Sequence, residues 1–86
     1  MQKVIYVKVP QSETEFVNLF SNVIETFIKS GEELPDYFNE PNICDDCEIE
    51  GIIELLSEYY LFETEKQIRF LEEKDDNYLI SVSAKE

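Results

Sequence analysis

The chain has no histidine and no tryptophan, only two glycines, three prolines and two cysteines, and just seven bases against 20 acids. Each scarcity excludes something. Without histidine there is no ordinary general base near neutral pH. With two glycines there is no glycine-rich phosphate loop, and no nucleophile motif is present either. Two cysteines, in Cys44-Asp45-Asp46-Cys47, cannot complete a four-ligand thiolate zinc site in one chain. Neither Asp75-Asp76-Asn77 nor the stretch from Cys44 to Glu50 follows the 12-residue calcium loop with its glycine at the sixth position. These absences predict a protein that is not an enzyme and holds no cofactor or metal. The shortage of bases argues against direct contact with nucleic acid or an anionic membrane, since both are polyanions.

Long apolar runs are also missing. Residues 1–10 alternate and carry Lys3 and Lys8, unlike a signal peptide. No stretch approaches the roughly 20 apolar residues of a membrane span. The expectation is a cytoplasmic protein with reduced thiols. Two acids between the cysteines, and no strand before them, speak against a thioredoxin-like redox pair.

What is present suffices for one folded domain over residues 1–86. Hydrophobic residues make up 43% of the chain, with five Tyr and six Phe. A chain this short buries only about 60–65% of its unfolded surface, so a modest stability is expected.

Residues 3–9 alternate as a strand, with Pro10 ending the run. Ser12-Glu13-Thr14-Glu15 reads as a capping box, in which Ser12 takes the Glu15 amide and Glu15 returns the bond. Phe16, Phe20, Val23 and Phe27 follow at helical spacing, flanked by Val17, Ile24 and Ile28. Lys29 and Gly31 suit the end of that helix. Residues 31–44 form a loop broken by Pro35 and Pro41, with a short helical turn over 35–39. Leu34, Tyr37, Phe38 and Ile43 are the candidates to pin it to the body.

Asp45 or Asp46 is the expected cap of a second helix running to about residue 62. Its apolar stripe is Ile49, Ile52, Ile53, Leu56, Tyr59 and Tyr60. Tyr59 or Tyr60 is expected in the core, and Phe62 with it. Strands over 67–71 and 78–83 flank a hairpin turn at 72–77. The fold class is therefore α+β: a three-stranded antiparallel sheet with two helices packed on one face, in the order β-α-α-β-β. The first strand can pair with either hairpin strand.

The charge is concentrated. Residues 30–65 hold Glu32, Glu33, Asp36, Glu40, Asp45, Asp46, Glu48, Glu50, Glu54, Glu58, Glu63 and Glu65, and no base. The other eight acids face all seven bases, so nearly the whole formal charge of -13 belongs to the loop and the second helix. Asp46, Glu50, Glu54 and Glu58 recur every fourth residue, about 6 Å apart along a helix. Like charges at that spacing each cost roughly 0.2–0.5 kcal/mol. Asp46 and Glu50 lie near the helix N-terminus, where acids are favoured; Glu54 and Glu58 do not. Such a ladder suits a basic protein surface built for nucleic acid. Asp45, Glu40, Asp36 and the other loop acids, Glu32 and Glu33, are candidates to flank it, with Tyr37 as an aromatic anchor.

In size and charge the chain resembles the small acidic inhibitors of phages and mobile elements: anti-CRISPR proteins, anti-restriction proteins and uracil-glycosylase inhibitors. That resemblance spans the whole chain, carries no diagnostic motif, and implies a DNA mimic. Locally, Leu34-Pro35-Asp36-Tyr37-Phe38-Asn39 is similar to the segment that opens the nuclease-plugging helix of barstar-like ribonuclease inhibitors. The similarity implies an interface near Asp36 and Tyr37. The family's following Asn, Asp-Ala pair and Trp are absent, and the terminal hairpin departs from its parallel sheet.

The expected function is thus inhibition of a nuclease or other nucleic-acid enzyme, such as a CRISPR effector, through its basic cleft. Two alternatives stand beside it. One is an immunity protein or antitoxin making a shape-specific contact through Tyr37 and Phe38. The other is a non-inhibitory adaptor.

Overall fold

Period-two alternation and a tight turn build the sheet. In the computed structural model, which describes residues 2–35, 38 and 48–84, strand β1 (Gln2–Lys8) turns Ile5 and Val7 inward. Strands β2 (Lys66–Lys74) and β3 (Asn77–Ala84) form a hairpin. Its two central residues, Asp75 and Asp76, have φ values of 53° and 62°. Two successive left-handed residues match the twist of a two-residue hairpin, and aspartate tolerates that conformation. The turn is therefore tighter than the predicted 72–77, and both strands reach further toward it. Strand β3 is central: β1 and β2 both pair with it antiparallel. The register of β2 shifts between Phe70 and Glu72, so Leu71 sits at a bulge and is exposed.

The helices cover one face of this sheet. Helix α1 (Glu13–Val17) begins at Ser12, whose hydroxyl accepts the Glu15 amide at 3.2 Å. The reciprocal bond differs from a capping box. The Glu15 carboxylate accepts from the Gln11 amide at 2.6 Å, one residue earlier than expected. The helix does not run on unbroken. At Asn18 the backbone leaves helical geometry (φ -99°, ψ 8°), and the Asn18 side chain donates to the Thr14 carbonyl at 3.0 Å. Asparagine competes in this way for backbone partners. Helix α2 (Leu19–Lys29) restarts with Leu19, Phe20, Val23, Ile24 and Phe27 buried. The break brings Leu19 inward, while Val17 and Ile28, expected beside the stripe, are exposed.

Helix α3 (Ile49–Tyr59) buries Ile49, Ile52, Ile53 and Leu56, as its spacing predicted. Its cap position is Glu48, which is extended and makes no side-chain capping bond. This corrects the expected cap at Asp45 or Asp46; both lie outside the described residues and precede the helix start. Beyond Tyr59 the chain widens into a π-helical turn, Tyr60–Thr64, closed by Glu65 in the left-handed region at φ 57°. The Thr64 hydroxyl donates to the Tyr60 carbonyl at 2.9 Å within that turn.

The core forms where the stripes of α2 and α3 meet the inward face of the sheet: Ile5 and Val7, Ile68, Ile80 and Val82. Each fully buried aliphatic or aromatic side chain contributes about 1.5–3 kcal/mol of transfer free energy. Phe38 is buried too. It meets Phe20 and Tyr59 edge-on, with centroids 6.2 and 5.3 Å apart. Leu34 is half-buried against the core, so two of the four expected loop anchors pack there, while Tyr37 and Ile43 lie outside the described residues. The Phe38 amide donates to the Pro35 carbonyl at 3.1 Å, as a short helical turn would have it. Among the described residues no helix is long and apolar enough to cross a membrane.

Candidate partner-binding face

Helix α3 lies against the sheet on its apolar stripe, so its other side faces solvent. Glu50, Glu54 and Glu58 are all exposed there, at i, i+4 and i+8. Exposed Glu48 precedes them, and exposed Glu63 and Glu65 follow on the π-turn and its cap. The helix carries no base. Among the described residues the six bases lie on strands (Lys3, Lys8, Lys66, Arg69, Lys74) or at the end of α2 (Lys29). Lys29 is paired with Glu25 at 2.9 Å. Among the described residues, therefore, no cation lies within the carboxylate row.

Of the predicted row, Asp46 lies outside the described residues and the other three rungs stand on α3. Asp36, Tyr37, Glu40 and Asp45 lie outside the described residues, as do Cys44 and Cys47. Glu33 is exposed, as a flanking acid requires.

Glu32 is the clearest departure. It was expected to join a solvent row, yet its side chain is 3% exposed. Its Oε2 lies 2.7 Å from Lys3 Nζ and its Oε1 3.1 Å from Lys66 Nζ. Lys3 Nζ also donates to the Ser30 carbonyl at 2.8 Å. The cause is the end of α2. Gly31 takes φ 94°, the Gly31 amide donates to the Ile28 carbonyl, and the Glu32 amide donates to the Phe27 carbonyl, both at 3.0 Å. This Schellman pattern turns the residue after the glycine back toward the helix. Glu32 thereby enters the rim of the core and leaves the ladder.

Burial pushes the Glu32 carboxyl upward. Its hydrogen bonds to Lys3 and Lys66, and their charges, outweigh that, and the net displacement is below the usual carboxylate value. The Tyr60 hydroxyl lies deeper. It is buried with no hydrogen-bond partner among the described residues. Its pKa is raised, first by burial and then by the Glu32 carboxylate. A cavity of about 470 Å³ opens beside Lys3, Glu32 and Lys66, at the end of the sheet where Ala84 lies.

A signal for this cluster does exist in the sequence. Lys3 shares the alternation phase of Ile5 and Val7, and Lys66 that of Ile68 and Phe70. Bases in phase with core residues on two strands call for a buried acid between them.

Phe62 is the second departure. Expected in the core, it is 80% exposed. Position 62 lies three residues past Tyr59 and seven past Leu55, on the flank of the stripe. The buried residue at the end of α3 is Tyr60 instead, packed edge-on against Phe27 with centroids 6.1 Å apart. Phe38, proposed as a contact for a shape-specific partner, is a core residue.

No family model, curated protein or solved structure matches this chain. The site must be judged on its own chemistry. Among the described residues, no group of three or more acids or cysteines is arranged to hold a metal ion. The exposed carboxylates of α3 form a one-sided anionic surface suited to ion-pairing with a basic protein.

Proposed function

We propose that this chain is a non-catalytic, acidic inhibitor that mimics nucleic acid and lays its α3 face in the Lys/Arg-lined cleft of a nuclease or other nucleic-acid enzyme. The observation that carries this reading is the solvent-facing row Glu50, Glu54, Glu58 on a helix without a base. Each repulsion in that row costs roughly 0.2–0.5 kcal/mol, and a lysine at position 54 would relieve two of them. A row kept against that gradient fits a binding role better than a stabilising one. Within it, carboxylates about 6 Å apart along the axis present a line of negative charge to a cleft that ordinarily grips phosphates. Attraction over that range speeds encounter and is screened by salt.

The test is capture of a nucleic-acid enzyme from host lysate by the native chain, beside a chain carrying Glu54→Lys and Glu58→Lys. Each reversal at a basic cleft should cost about 1–2 kcal/mol, so the pair should weaken capture roughly 30- to 1000-fold. The captured enzyme should lose bound DNA to the native chain, more readily at about 0.05 M than at about 0.2 M salt. Equal capture by both chains, or a complex that leaves DNA binding untouched, would refute the reading.

A further inference from the structure

Phe62 presents its ring to solvent, 80% exposed. It stands at the end of the carboxylate row, on the π-turn that follows α3. Beside Phe62 runs an open groove of about 300 Å³, lined by Phe38, Leu55, Tyr59 and Phe62 with Glu58 and Glu63. Among the described residues its lining is apolar and aromatic apart from the two carboxylates.

An uncharged apolar ligand leaves those carboxylates unused, and an anionic one is repelled by them. The complementary ligand has an apolar stem, a flat cationic head and several N–H donors. Arginine has this form. Its methylenes can lie on Leu55 and Tyr59, its guanidinium can stack on the Phe62 ring, and its N–H groups can reach Glu58 and Glu63. Lysine carries an equal charge, but its ammonium is compact and strongly hydrated, and it stacks less well.

We infer that the Phe62 groove is an arginine-binding slot, which receives one arginine side chain from the basic surface of a protein partner at the end of the glutamate row. The inference rests on the proposed function and deepens it. The row supplies non-selective attraction, while the slot fixes position and selects arginine over lysine.

The probe is a blocked Gly-Arg-Arg-Gly peptide titrated into the isotope-labelled chain and followed by NMR. The matching lysine and citrulline peptides are titrated in parallel. The arginine peptide should shift the Phe62 ring and Leu55 methyl signals, with an affinity roughly two- to fivefold above that of the lysine peptide. Citrulline, isosteric but neutral, should leave those signals unmoved. Phe62→Leu should abolish the preference for arginine while keeping lysine binding to the glutamates. Because Phe62 is exposed, that variant should keep the native spectrum elsewhere. Equal arginine and lysine affinities in the native chain, Phe62 signals that stay still, or a preference unchanged in Phe62→Leu would each overturn the slot. Such a failure is separable from failure of the proposed function. A false slot with a true row leaves enzyme capture sensitive to Glu54→Lys alone, a position outside the slot. A false row leaves capture indifferent to that substitution.

Discussion

Glu32 shows how one carboxylate can be withdrawn from a surface that otherwise collects them. Both its oxygens are engaged by ammonium groups that remain partly solvated. Losing the acid would therefore strand two lysines that can rehydrate, a milder penalty than a stranded buried charge. Glu32→Gln should lower stability by about 1–2 kcal/mol near neutral pH in a denaturant titration. The pH dependence has a definite sign. The folded carboxyl titrates below its ordinary value of 4.5, so the unfolded chain takes up the proton first on acidification. The contribution is then fully present above about pH 5 and is lost as pH falls through the folded value. The gap between parent and Glu32→Gln should thus be flat above that point and close below it. A gap that persisted into acid would mean that the ion pairs do not stabilise the fold. The cluster was legible only in part. Lys3 and Lys66 have the alternation phase of core residues, but their common partner is 29 residues from one and 34 from the other. Only the turn at Gly31 brings it between them.

At the scale of elements, local pattern was a good guide wherever one period governed a segment. The three strands, the stripe of α3, the cap at Gly31 and the hairpin could all be read from alternation, helical spacing and turn residues. Non-local choices could not. The pairing of β1 with β3 depends on packing among distant segments, and the alternation of β1 is compatible with either partner. The break at Asn18 turns on a single backbone competition that a periodic pattern averages over. Phe62 was misplaced for a related reason, since an apolar residue at the flank of a stripe carries no mark of being inside or outside. For the candidate site, the row Glu50, Glu54 and Glu58 on α3 was legible from its four-residue spacing. That row makes a prediction at the element's own scale. Glu54→Lys would exchange two like-charged i, i+4 neighbours for two opposite ones, and should raise unfolding stability by about 1 kcal/mol in chemical denaturation. Unchanged or lower stability would show that the carboxylates do not oppose one another in the folded helix.

Charge is unevenly spread over the whole molecule: among the described residues α3 presents acids and no base, while the bases lie on the strands and at the end of α2. A formal charge of -13 on 86 residues works against compactness. Raising salt from about 0.01 M to about 0.15 M shortens the screening length from roughly 30 Å to 8 Å. The thermal midpoint should rise over that range by roughly 5 °C, equivalent to about 1 kcal/mol for a domain this size. A fall instead would mean that surface ion pairs contribute more than repulsion subtracts. The same salt should weaken partner capture, so stability and binding should move in opposite directions. The sheet register has a mechanical consequence as well. Gln2 pairs with Ser83, which sets the beginning of β1 beside the end of β3. Force applied by pulling those two points apart would act across the strand pair, loading one rung of hydrogen bonds at a time, and the fold should peel open like a zipper. The Lys3–Glu32 contact lies next to that first rung, so it would be among the earliest latches to meet the load.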